Sequence, residues 1–418
     1  MRLGAALMRH AEAALGELMR FAGPADQVLS RYFRGHRELG QRERAFIAEA
    51  NFAVLRRRRS LEAAAASGEP RALLAAALLR VLGFSGRAVG DLVEPGLIER
   101  VRSARGDEWP AAVRADLPDW LWQRLAAERG PDEAMRLAQG LLNPAPLDLR
   151  VNLARASREE VLERLAHDGI VASATPYSPA GVRLAEKPAI QHHPLFRDGL
   201  VEVQDEGSQL LAFLLAPRRG EMVADYCAGA GGKTLALAML MRGTGRVYAM
   251  DVSAKRLAAL GARAARAQVS NIHSIALAGE NDARAKRLAG KLERVLVDAP
   301  CSGFGTLRRN PDLKWRHGPA AVAELVQKQR RILAAAARLV KPGGRLLYAT
   351  CSILGEENDA IADEFRAAHP GFQARSCAEL LAAQRIALDT GERLRLAPHL
   401  HGTDGFFAAA FERLGASS

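Results

Sequence analysis

The sequence predicts an α/β protein in which a doubly wound sheet follows a small α/β module and an all-helical N-terminal domain. Three observations lead to this fold class. The chain has 418 residues, which corresponds to two or three domains at about 150 residues each. Its first third carries apolar residues at helical spacing. Its second half alternates short buried strands with helices, which is typical of a parallel sheet covered on both faces.

The composition is that of a globular protein able to bury cores. Apolar residues make up 49% of the chain and charged residues 25%, which excludes disordered, collagen-like and coiled-coil classes. No run of about 18 apolar residues exists, so no membrane span is expected. Charged residues interrupt the apolar N-terminal stretch, so it does not form a signal peptide. We expect a cytoplasmic protein, and nothing in the sequence demands more than a monomer.

The charge balance favours a polyanionic partner. The formal net charge is +12, and 51 of the 59 basic residues are arginines, whose planar forks suit phosphate. Nucleic acid is therefore the first partner to consider, and a basic protein that binds none is the alternative. The four cysteines form no CxxC pair, so neither a zinc site nor a disulfide framework is indicated.

Residues 1–142 are predicted to be helical throughout. One apolar stripe is formed by Leu3, Leu7, Ala11, Leu15 and Leu18, and another by Phe46, Ile47, Ala50 and Val54. The stretch between Arg31 and Arg59 carries nine basic and three acidic residues. It is either a solvated helix face or a phosphate-binding surface.

Residues 143–200 are predicted to form a small α/β module. Asn143-Pro144-Ala145-Pro146 ends the helical part, and alternating apolar residues from Leu147 to Leu153 then predict a half-buried strand. Ser157 and Glu160 form a capping box that opens a helix over 158–167, which Gly169 ends.

Residues 201–418 contain strand candidates at 222–224, 246–250, 274–277, 294–297 and 345–349. Ligands of doubly wound sheets bind at the carboxyl ends of the strands, so the residues after each strand are the candidates for a site.

The first of these strands is followed by a glycine-rich turn that opens a helix, residues 225–234. A phosphate loop would need glycine where Cys227 stands, and a dinucleotide fingerprint would need glycine where Thr234 stands. S-adenosylmethionine, a nucleoside without phosphates, is the third candidate. The turn alone does not distinguish among these three classes of ligand.

Two carboxylates extend this pattern. Asp251 ends the second strand, where a carboxylate can accept both ribose hydroxyls of NAD or S-adenosylmethionine, which argues against an ATPase. Its alternative role is that of a helix N-cap. Asp282 follows the third strand and could bond an adenine amino group. Its sequence signal for a cofactor contact is weaker than that of Asp251.

Cysteines follow the two remaining strands. Asp298-Ala299-Pro300-Cys301 comes after the fourth strand, where amino methyltransferases carry an Asp/Asn-Pro-Pro-aromatic stretch, and Thr350-Cys351-Ser352 comes after the fifth. The thiol in place of the aromatic residue indicates chemistry at carbon. We expect both thiols to converge on one cleft, and Cys377, outside every motif, to be a core residue.

Residues 227–233, Asp251, 298–303 and 350–352 together resemble the RNA cytosine-C5 methyltransferases of the RsmB type. Further matching stretches are 308–315, 341–344 and 403–407, and residues 41–56 are similar to the NusB-like RNA-binding domain of this subfamily. The family usually has proline where this chain has Ala230, which loosens a turn and removes no functional group.

The resemblance implies a NusB-like domain over 1–142, an RNA-recognition-like module over 143–200 and a Rossmann-like class I methyltransferase sheet over 201–418. The residues it assigns to S-adenosylmethionine are Cys227, Ala228, Gly229, Ala230, Gly231, Gly232, Lys233, Asp251, Asp282 and Asp298.

The family's mechanism makes Cys351 the nucleophile that adds to C6 of cytosine and Cys301 the thiol that helps to release the product. Asp298 would hold the N3/N4 edge of the base. The cofactor's sulfonium and Lys314 are the candidate positive charges that lower the pKa of the thiol. The rival assignment makes Cys301 the nucleophile, as in DNA cytosine methyltransferases.

The target base must be single-stranded or extruded to be reached. Residues expected to contact the RNA follow the catalytic loop and are Arg308, Arg309, Lys314, Trp315 and Arg316. Trp315 could stack on a base or anchor the loop by packing, and the whole segment could equally be a solvated loop.

Ribosomal RNA of the small subunit is the substrate that the resemblance implies, and transfer RNA is the second candidate. Two other functions remain open from the residues. An NAD-dependent oxidoreductase would leave both strand-end thiols without a task. An RNA-binding assembly factor with an inactive methyltransferase domain would be at odds with the intact thiols and Asp298.

Overall fold

In the computed structural model, which describes residues 3–415, the chain divides into two compact units. One comprises the chain up to Pro144 together with Thr306–Ala321, and the other comprises Ala145–Gly305 and the chain from Val322 onward. The predicted segments 143–200 and 201–418 thus share one unit, apart from the stretch 306–321. Within 3–415, no helix is both long enough and apolar enough to cross a membrane.

The first unit is helical, as the apolar spacing predicts. Its helices are α1 Ala5–Leu18, α2 Ala25–Gly35, α3 Gln41–Ala65, α4 Pro70–Arg80, α5 Gly86–Val89, α6 Pro95–Ser103, α7 Ala111–Arg114, α8 Asp119–Arg129 and α9 Pro131–Leu141. Both predicted stripes are buried from Leu7 to Leu18 and from Phe46 to Val54 and join one apolar core, while Leu3 precedes α1 and packs against that core.

Helix α3 is interrupted at Arg57, whose φ of −121° and ψ of 32° are not helical. Such a break leaves backbone groups of the neighbouring turns without their helical partners. The amide of Ser60 donates instead to Oδ1 of Asp116, at 2.9 Å. The carbonyl groups of Leu55 and Arg56 accept from residues of the segment 306–321.

That segment carries a short helix, which we call α16 (Leu313–Arg316). The Nζ atom of Lys314 donates to the carbonyl oxygens of Arg56, at 2.8 Å, and Asp116, at 2.6 Å. The Nε1 atom of Trp315 donates to the carbonyl oxygen of Leu55 at 2.7 Å. The two side chains therefore replace the hydrogen bonds that α3 loses at its break.

The expectation that Lys314 and Trp315 serve as RNA contacts is corrected by this packing. Lys314 is 2% exposed, and burial lowers its pKa to about 7, so it is a poor point charge for a phosphate or a thiolate. Trp315 has its indole N–H bonded, and the guanidinium of Arg58 lies over its ring. For Trp315 the anchoring alternative is the one that the contacts favour.

The other three residues of that expected RNA surface differ in exposure. Arg308 is buried, and its carbonyl oxygen accepts from Arg56 at 3.1 Å. Arg309 and Arg316 are half-buried, and Arg316 pairs with Asp312 at 3.2 Å. Their contact with RNA stays a prediction.

The second unit begins with a four-stranded antiparallel sheet in the order β2-β3-β1-β4. Its elements are β1 Leu147–Val151, α10 Arg158–His167, β2 Ala172–Ala174, β3 Gly181–Leu184, α11 Pro194–Arg197 and β4 Val201–Val203. The predicted capping box is present, because the Ser157 hydroxyl accepts from the Glu160 amide and the Glu160 carboxylate accepts from the Ser157 amide.

A larger, eight-stranded sheet follows, with the order β10-β12-β9-β8-β5-β6-β7 and with β11 paired to β12. Its strands are β5 Met222–Asp225, β6 Arg246–Asp251, β7 Ile272–Ala276, β8 Leu292–Asp298, β9 Val340–Thr350, β10 Phe372–Arg375, β11 Leu394–Leu396 and β12 Phe406–Arg413. Its helices are α12 Glu206–Leu215, α13 Gly232–Leu240, α14 Ala254–Ala267, α15 Ala283–Lys286, α17 Pro319–Ala337, α18 Asp359–Ala368, α19 Cys377–Ala382 and α20 Pro398–His401.

The five strands β5 to β9 pair in parallel, as the alternation of strands and helices predicts. The last three strands, β10, β11 and β12, pair antiparallel, and β12 lies against β9. In the sequence, the motif at 403–407 is the single feature that indicates this part of the sheet.

Replacing Lys314 by methionine tests its structural role. K314M keeps the length and volume of the side chain but leaves two buried carbonyl groups without donors, which should lower the free energy of unfolding by about 2–4 kcal/mol. Chemical denaturation measures this change, with K286M, at an exposed position, as the control. A K314M protein of unchanged stability that binds RNA more weakly would restore Lys314 as an RNA contact.

Candidate active site

The carboxyl ends of β5, β6, β8 and β9 surround a cleft of about 520 Å³. The residues that line it are Tyr226, Cys227, Ala228, Gly229, Ala230, Asp251, Val252, Arg256, Leu277, Ala278, Gly279, Glu280, Asp298, Ala299, Pro300, Cys301, Lys328, Ile332 and Cys351. This is the position at which open parallel sheets bind ligands. It joins most of the predicted cofactor residues and both strand-end thiols.

The glycine-rich turn between β5 and α13 is shaped by close approaches. Gly231 has a φ of +84°, and a Cβ atom there would lie 2.2 Å from Cδ1 of Leu260, so this position requires glycine. The amide of Ala228 donates to the carbonyl of Met250 at 2.8 Å, which ties the turn to β6. The backbone of 227–230 is thereby presented to the cleft.

Arginines brace the outer side of this turn within the same unit. Arg263 of α14 donates to the carbonyl oxygen of Ala230 at 2.6 Å and pairs with Glu202 of the small module at 2.9 Å. Arg150 of β1 donates to the carbonyl oxygen of Gly232 at 2.8 Å. The small module therefore helps to hold the turn in shape.

Asp251 ends β6 and is 4% exposed. Its Oδ2 atom accepts from the amide of Gly229 at 2.9 Å, and its Oδ1 atom accepts from the amide of Ser253 and from Arg256 at 3.0 Å. The N-cap of α14 is Ser253, so the alternative role of Asp251 as that cap is wrong. Asp251 instead places a carboxylate in the wall of the cleft.

Asp282 is the N-cap of α15, and its carboxylate accepts from the amides of Ala278 and Arg284 and from the Arg284 guanidinium. These bonds shape the turn 278–280, which lines the cleft, whereas Asp282 itself is absent from the lining. Its contact with an adenine stays a prediction.

Asp298 ends β8 and pairs with Lys233 of α13, the Nζ to Oδ2 distance being 2.7 Å. Burial lowers the pKa of Lys233, but the charge of Asp298 and, to a smaller extent, that of Cys351 outweigh this effect. The pKa of Lys233 is therefore raised overall. Lys233 is thus held as a cation by Asp298, with its ammonium 5.6 Å from the centre of the Phe406 ring.

The Sγ atoms of Cys301 and Cys351 lie 3.5 Å apart. Both side chains are half-buried, and both line the cleft. The hydrogen bond to Cys351 and burial raise the pKa of the Cys301 thiol well above that of an ordinary cysteine. Either thiol can be the donor in this pair.

The other two cysteines lie outside this pair. Cys227 lines the cleft, and burial, followed by the charge of Asp225, raises its pKa well above the ordinary value. Cys377 is fully buried in the apolar core beside β12, as expected for a core thiol.

Three features near the cleft were not predicted from the sequence. Lys233 is assigned to the cofactor there, but its ion pair with Asp298, which joins two segments 65 positions apart, is not predicted. Lys328 and Ile332 of α17 line the cleft without belonging to any motif. Their spacing of four, which puts both on one helix face, is the signal that could have indicated them.

Asp225, at the end of β5, is 1% exposed behind the turn. Its Oδ2 atom accepts from the Thr234 hydroxyl at 2.7 Å, whereas its Oδ1 atom has no partner among the described residues. Burial raises the pKa of Asp225 to about 7, although the Thr234 hydroxyl acts in the opposite direction.

Two family models match the chain. The one described as 16S rRNA methyltransferase RsmB/F matches residues 212–412, and the one described as the ferredoxin-like domain of RsmF/B-like methyltransferases matches residues 117–191. The first spans the large sheet up to residue 412, and the second spans α8, α9 and the small module up to residue 191.

Curated relatives agree with these matches. The chain is 34% identical over 309 residues to the probable ribosomal RNA small subunit methyltransferase B of Bacillus subtilis (strain 168), which covers 73% of this chain and 68% of that protein. It is 36% identical over 297 residues to the protein of the same name in Synechocystis, covering 71% and 66%. The chain therefore spans about two thirds of the length of these relatives.

A solved structure extends the likeness to the fold. The structure of a methyltransferase homologue from Pyrococcus horikoshii superposes with a TM-score of 0.62 at 28% identity, covering 73% of this chain and 98% of that chain.

The raised pKa of Asp225 predicts a pH-dependent stability. Between the ordinary pKa of 3.8 and about 7, the folded state binds a proton that the unfolded state has released, so stability falls as the pH rises through this window. D225N imitates the protonated form, and relative to the unsubstituted protein it should gain roughly 3 kcal/mol between pH 4 and pH 8.

Thermal denaturation at several pH values measures this difference. D389N, at an exposed position, is the control and should change stability by less than about 0.5 kcal/mol at any pH. A difference between D225N and the unsubstituted protein that stays constant with pH would contradict a proton bound at Asp225.

Proposed function

We propose that this chain, which belongs to the RsmB/F family of 16S rRNA methyltransferases, transfers a methyl group to carbon 5 of a cytosine in RNA through a covalent cysteine adduct. Ribosomal RNA of the small subunit is the first candidate substrate, because the matching family and the curated relatives carry it in their names. The observation that carries the proposal is the distance of 3.5 Å between two thiols in the wall of the cleft.

The large sheet is that of the class I methyltransferases, whose cofactor S-adenosylmethionine supplies an electrophilic methyl group when bound. The cleft fits this group, since its 520 Å³ lies within the range of small-molecule sites. The turn 227–233 offers backbone amides and carbonyls, and Asp251 offers a carboxylate for ribose hydroxyls. We assign these residues, together with Asp298, to the cofactor.

Carbon 5 of cytosine is a weak nucleophile, and a cysteine can activate it. Attack by a thiolate forms an S–C6 bond and moves the C5=C6 electron pair to C5, which can then take a methyl group. A base then takes the proton from C5, the electron pair of that C–H bond forms C5=C6 again, and the S–C6 bond breaks with its electrons leaving on sulfur. Two thiols beside one base can divide these steps between them.

We assign the nucleophile to Cys351, as the family's mechanism implies. The pKa of Cys301 is raised above that of an ordinary cysteine, which disfavours Cys301 as the attacking thiolate. In the hydrogen bond between the two sulfur atoms either one can be the donor. A protonated Cys301 would assist elimination by giving its proton to the Cys351 sulfur as the S–C6 bond breaks.

The cation available to the Cys351 thiolate is Lys233 instead of Lys314. Lys233 pairs with Asp298 at the end of β8, and a thiolate at Cys351 is among the causes that raise the pKa of Lys233. The ammonium of Lys314 is instead bound by two carbonyl groups of the helical unit. Asp298 keeps one carboxylate oxygen on Lys233. Its other oxygen is the candidate partner for the N3/N4 edge of cytosine.

Substitution of each thiol tests the adduct. C351A should form no covalent RNA complex and incorporate no methyl group above background. C301A should accumulate a complex that survives a denaturing gel, because it adds to the base but releases it slowly. C377A, which removes a core thiol outside the cleft, is the control and should methylate normally.

The reverse pattern would assign the nucleophile to Cys301. Radiolabelled methyl transfer to 16S rRNA and to tRNA, followed by bisulfite sequencing, identifies the RNA and the modified atom. A protein that binds both cofactor and RNA but transfers no methyl group would be an assembly factor and would contradict the proposal.

Asp251 gives a second test that requires no RNA. D251N replaces a charged acceptor by a neutral one, and loss of charge-assisted bonds to ribose should weaken S-adenosylmethionine binding by about 10- to 100-fold in calorimetry. D363N, a surface substitution on α18, is the control. Unchanged affinity in D251N would remove Asp251 from the cofactor site.

A further inference from the structure

Glu357 is a fully buried carboxylate, 0% exposed, in the single turn Gly355–Glu357 that follows β9. It lies outside every motif that the sequence analysis uses. Removing a carboxylate from water costs several kcal/mol unless hydrogen bonds compensate. The hydrogen-bond partners of Glu357 therefore indicate how its carboxyl group is accommodated in the interior.

Four hydrogen bonds converge on its two oxygens. Oε1 accepts from the Ser302 amide at 2.8 Å and from Nε2 of Gln329 at 2.9 Å. Oε2 accepts from the hydroxyl groups of Ser302 and Ser352, each at 2.5 Å. The carboxylate is fully satisfied, and all four partners are donors.

Ser302 and Ser352 are the residues that directly follow Cys301 and Cys351. Consecutive Cα atoms are fixed 3.8 Å apart, so a bond that holds each serine restricts the cysteine before it. The two serine hydroxyls also lie 3.2 Å from one another. Glu357 thus joins the loop after β8 to the loop after β9 on the far side of the two thiols.

The residues around Glu357 hold the turn itself. Its carbonyl oxygen accepts from the Tyr348 hydroxyl at 2.6 Å, and Asn358 donates to the carbonyl of Ser352 at 3.1 Å. Gln329 of α17 donates to Pro300 at 3.0 Å as well as to Glu357. The carboxylate is therefore a fixed point to which both loops are attached.

We propose that Glu357 is a positioning residue that sets the separation of the Cys301 and Cys351 sulfur atoms through Ser302 and Ser352. The proposal rests on the proposed function for its role in methyl transfer, because addition by one thiol and release assisted by the other require both sulfurs at the same base. Its geometric part concerns the thiols alone and can be tested without RNA.

The first experiment measures how readily the two thiols form a disulfide. Diamide takes two electrons and two protons from the thiol pair and is reduced to the hydrazine, and peptide mapping reports the Cys301–Cys351 bond. In E357A and S352A the capture rate should fall by about tenfold, because the effective concentration of one thiol at the other falls. E357Q should restore most of it, since both serine hydroxyls can reverse and accept from the new amide.

If E357A does not fold, S352A tests the proposal in its place. S352A removes the hydrogen bond to the Cys351 loop and leaves the other three hydrogen bonds of Glu357 in place. E364Q, which removes a half-exposed carboxylate on α18 from its pair with Arg330, is the matched control. Thermal denaturation and cofactor affinity verify that each variant is folded. An unchanged or higher capture rate in folded E357A or S352A protein would overturn the proposal.

The second experiment measures RNA methylation. E357A and S352A should lower kcat by about 10- to 100-fold and leave the KM for RNA and cofactor within about twofold, since misplacement of reacting groups affects the chemical step. A rise in KM at unchanged kcat would contradict a positioning role. If the unsubstituted protein methylates no RNA, the proposed function fails, and the disulfide experiment still decides the geometric part.

Discussion

The active-site cleft depends on the register of two parallel strands. Asp298 of β8 lies opposite Ala349 of β9, so the residues that follow these strands leave the sheet at the same edge. Cys301 and Cys351, 50 positions apart in the chain, thereby reach a separation of 3.5 Å. Glu357 adds a second link between the same loops, from below the cleft. Glu357 accepts hydrogen bonds from Ser302 in one loop and from Ser352 in the other. It holds the loops more rigidly than strand pairing alone, because strand pairing ends where the strands end.

Two carboxylates of the cleft are paired with cations. Asp298 pairs with Lys233, and the buried Asp251 pairs with the exposed Arg256. Asp225, behind the turn, has no cation bonded to it among the described residues, and burial raises its pKa to about 7. In a partly desolvated site such pairs interact more strongly than they would in water. Asp298 lines the same cleft as the two thiols, so its pair with Lys233 contributes to the electrostatic environment proposed for Cys351. Lys314 is unsuited to that task, because its ammonium is buried and donates to the carbonyl oxygens of Arg56 and Asp116.

The sequence was sufficient for features that depend on local patterns. The capping box of α10, the strands β5 to β9 and the meeting of two thiols all follow from spacing, propensity and the geometry of parallel sheets. Features that depend on long-range hydrogen bonds were beyond it. The segment 306–321 looks like an exposed basic loop, but Lys314 and Trp315 complete a helix broken at Arg57, some 260 residues away. A helix break and a carboxylate such as Glu357 leave no periodic signature, and the antiparallel strands β10 to β12 follow no alternation.

The order of the strands has a consequence for how the polypeptide matures. Strand β12 inserts between β9 and β10 and pairs with β9 from Phe407 to Glu412. Just before it, the Gly405 amide donates to the Gly305 carbonyl at 2.8 Å, and a Cβ atom on Gly305 would lie 2.2 Å from the Gly405 oxygen. A nascent chain on the ribosome therefore holds both thiols and the turn 227–233 before the cleft is braced on this side. The site is therefore completed late in translation, once β12, which follows all of the candidate site residues in the chain, has been synthesised.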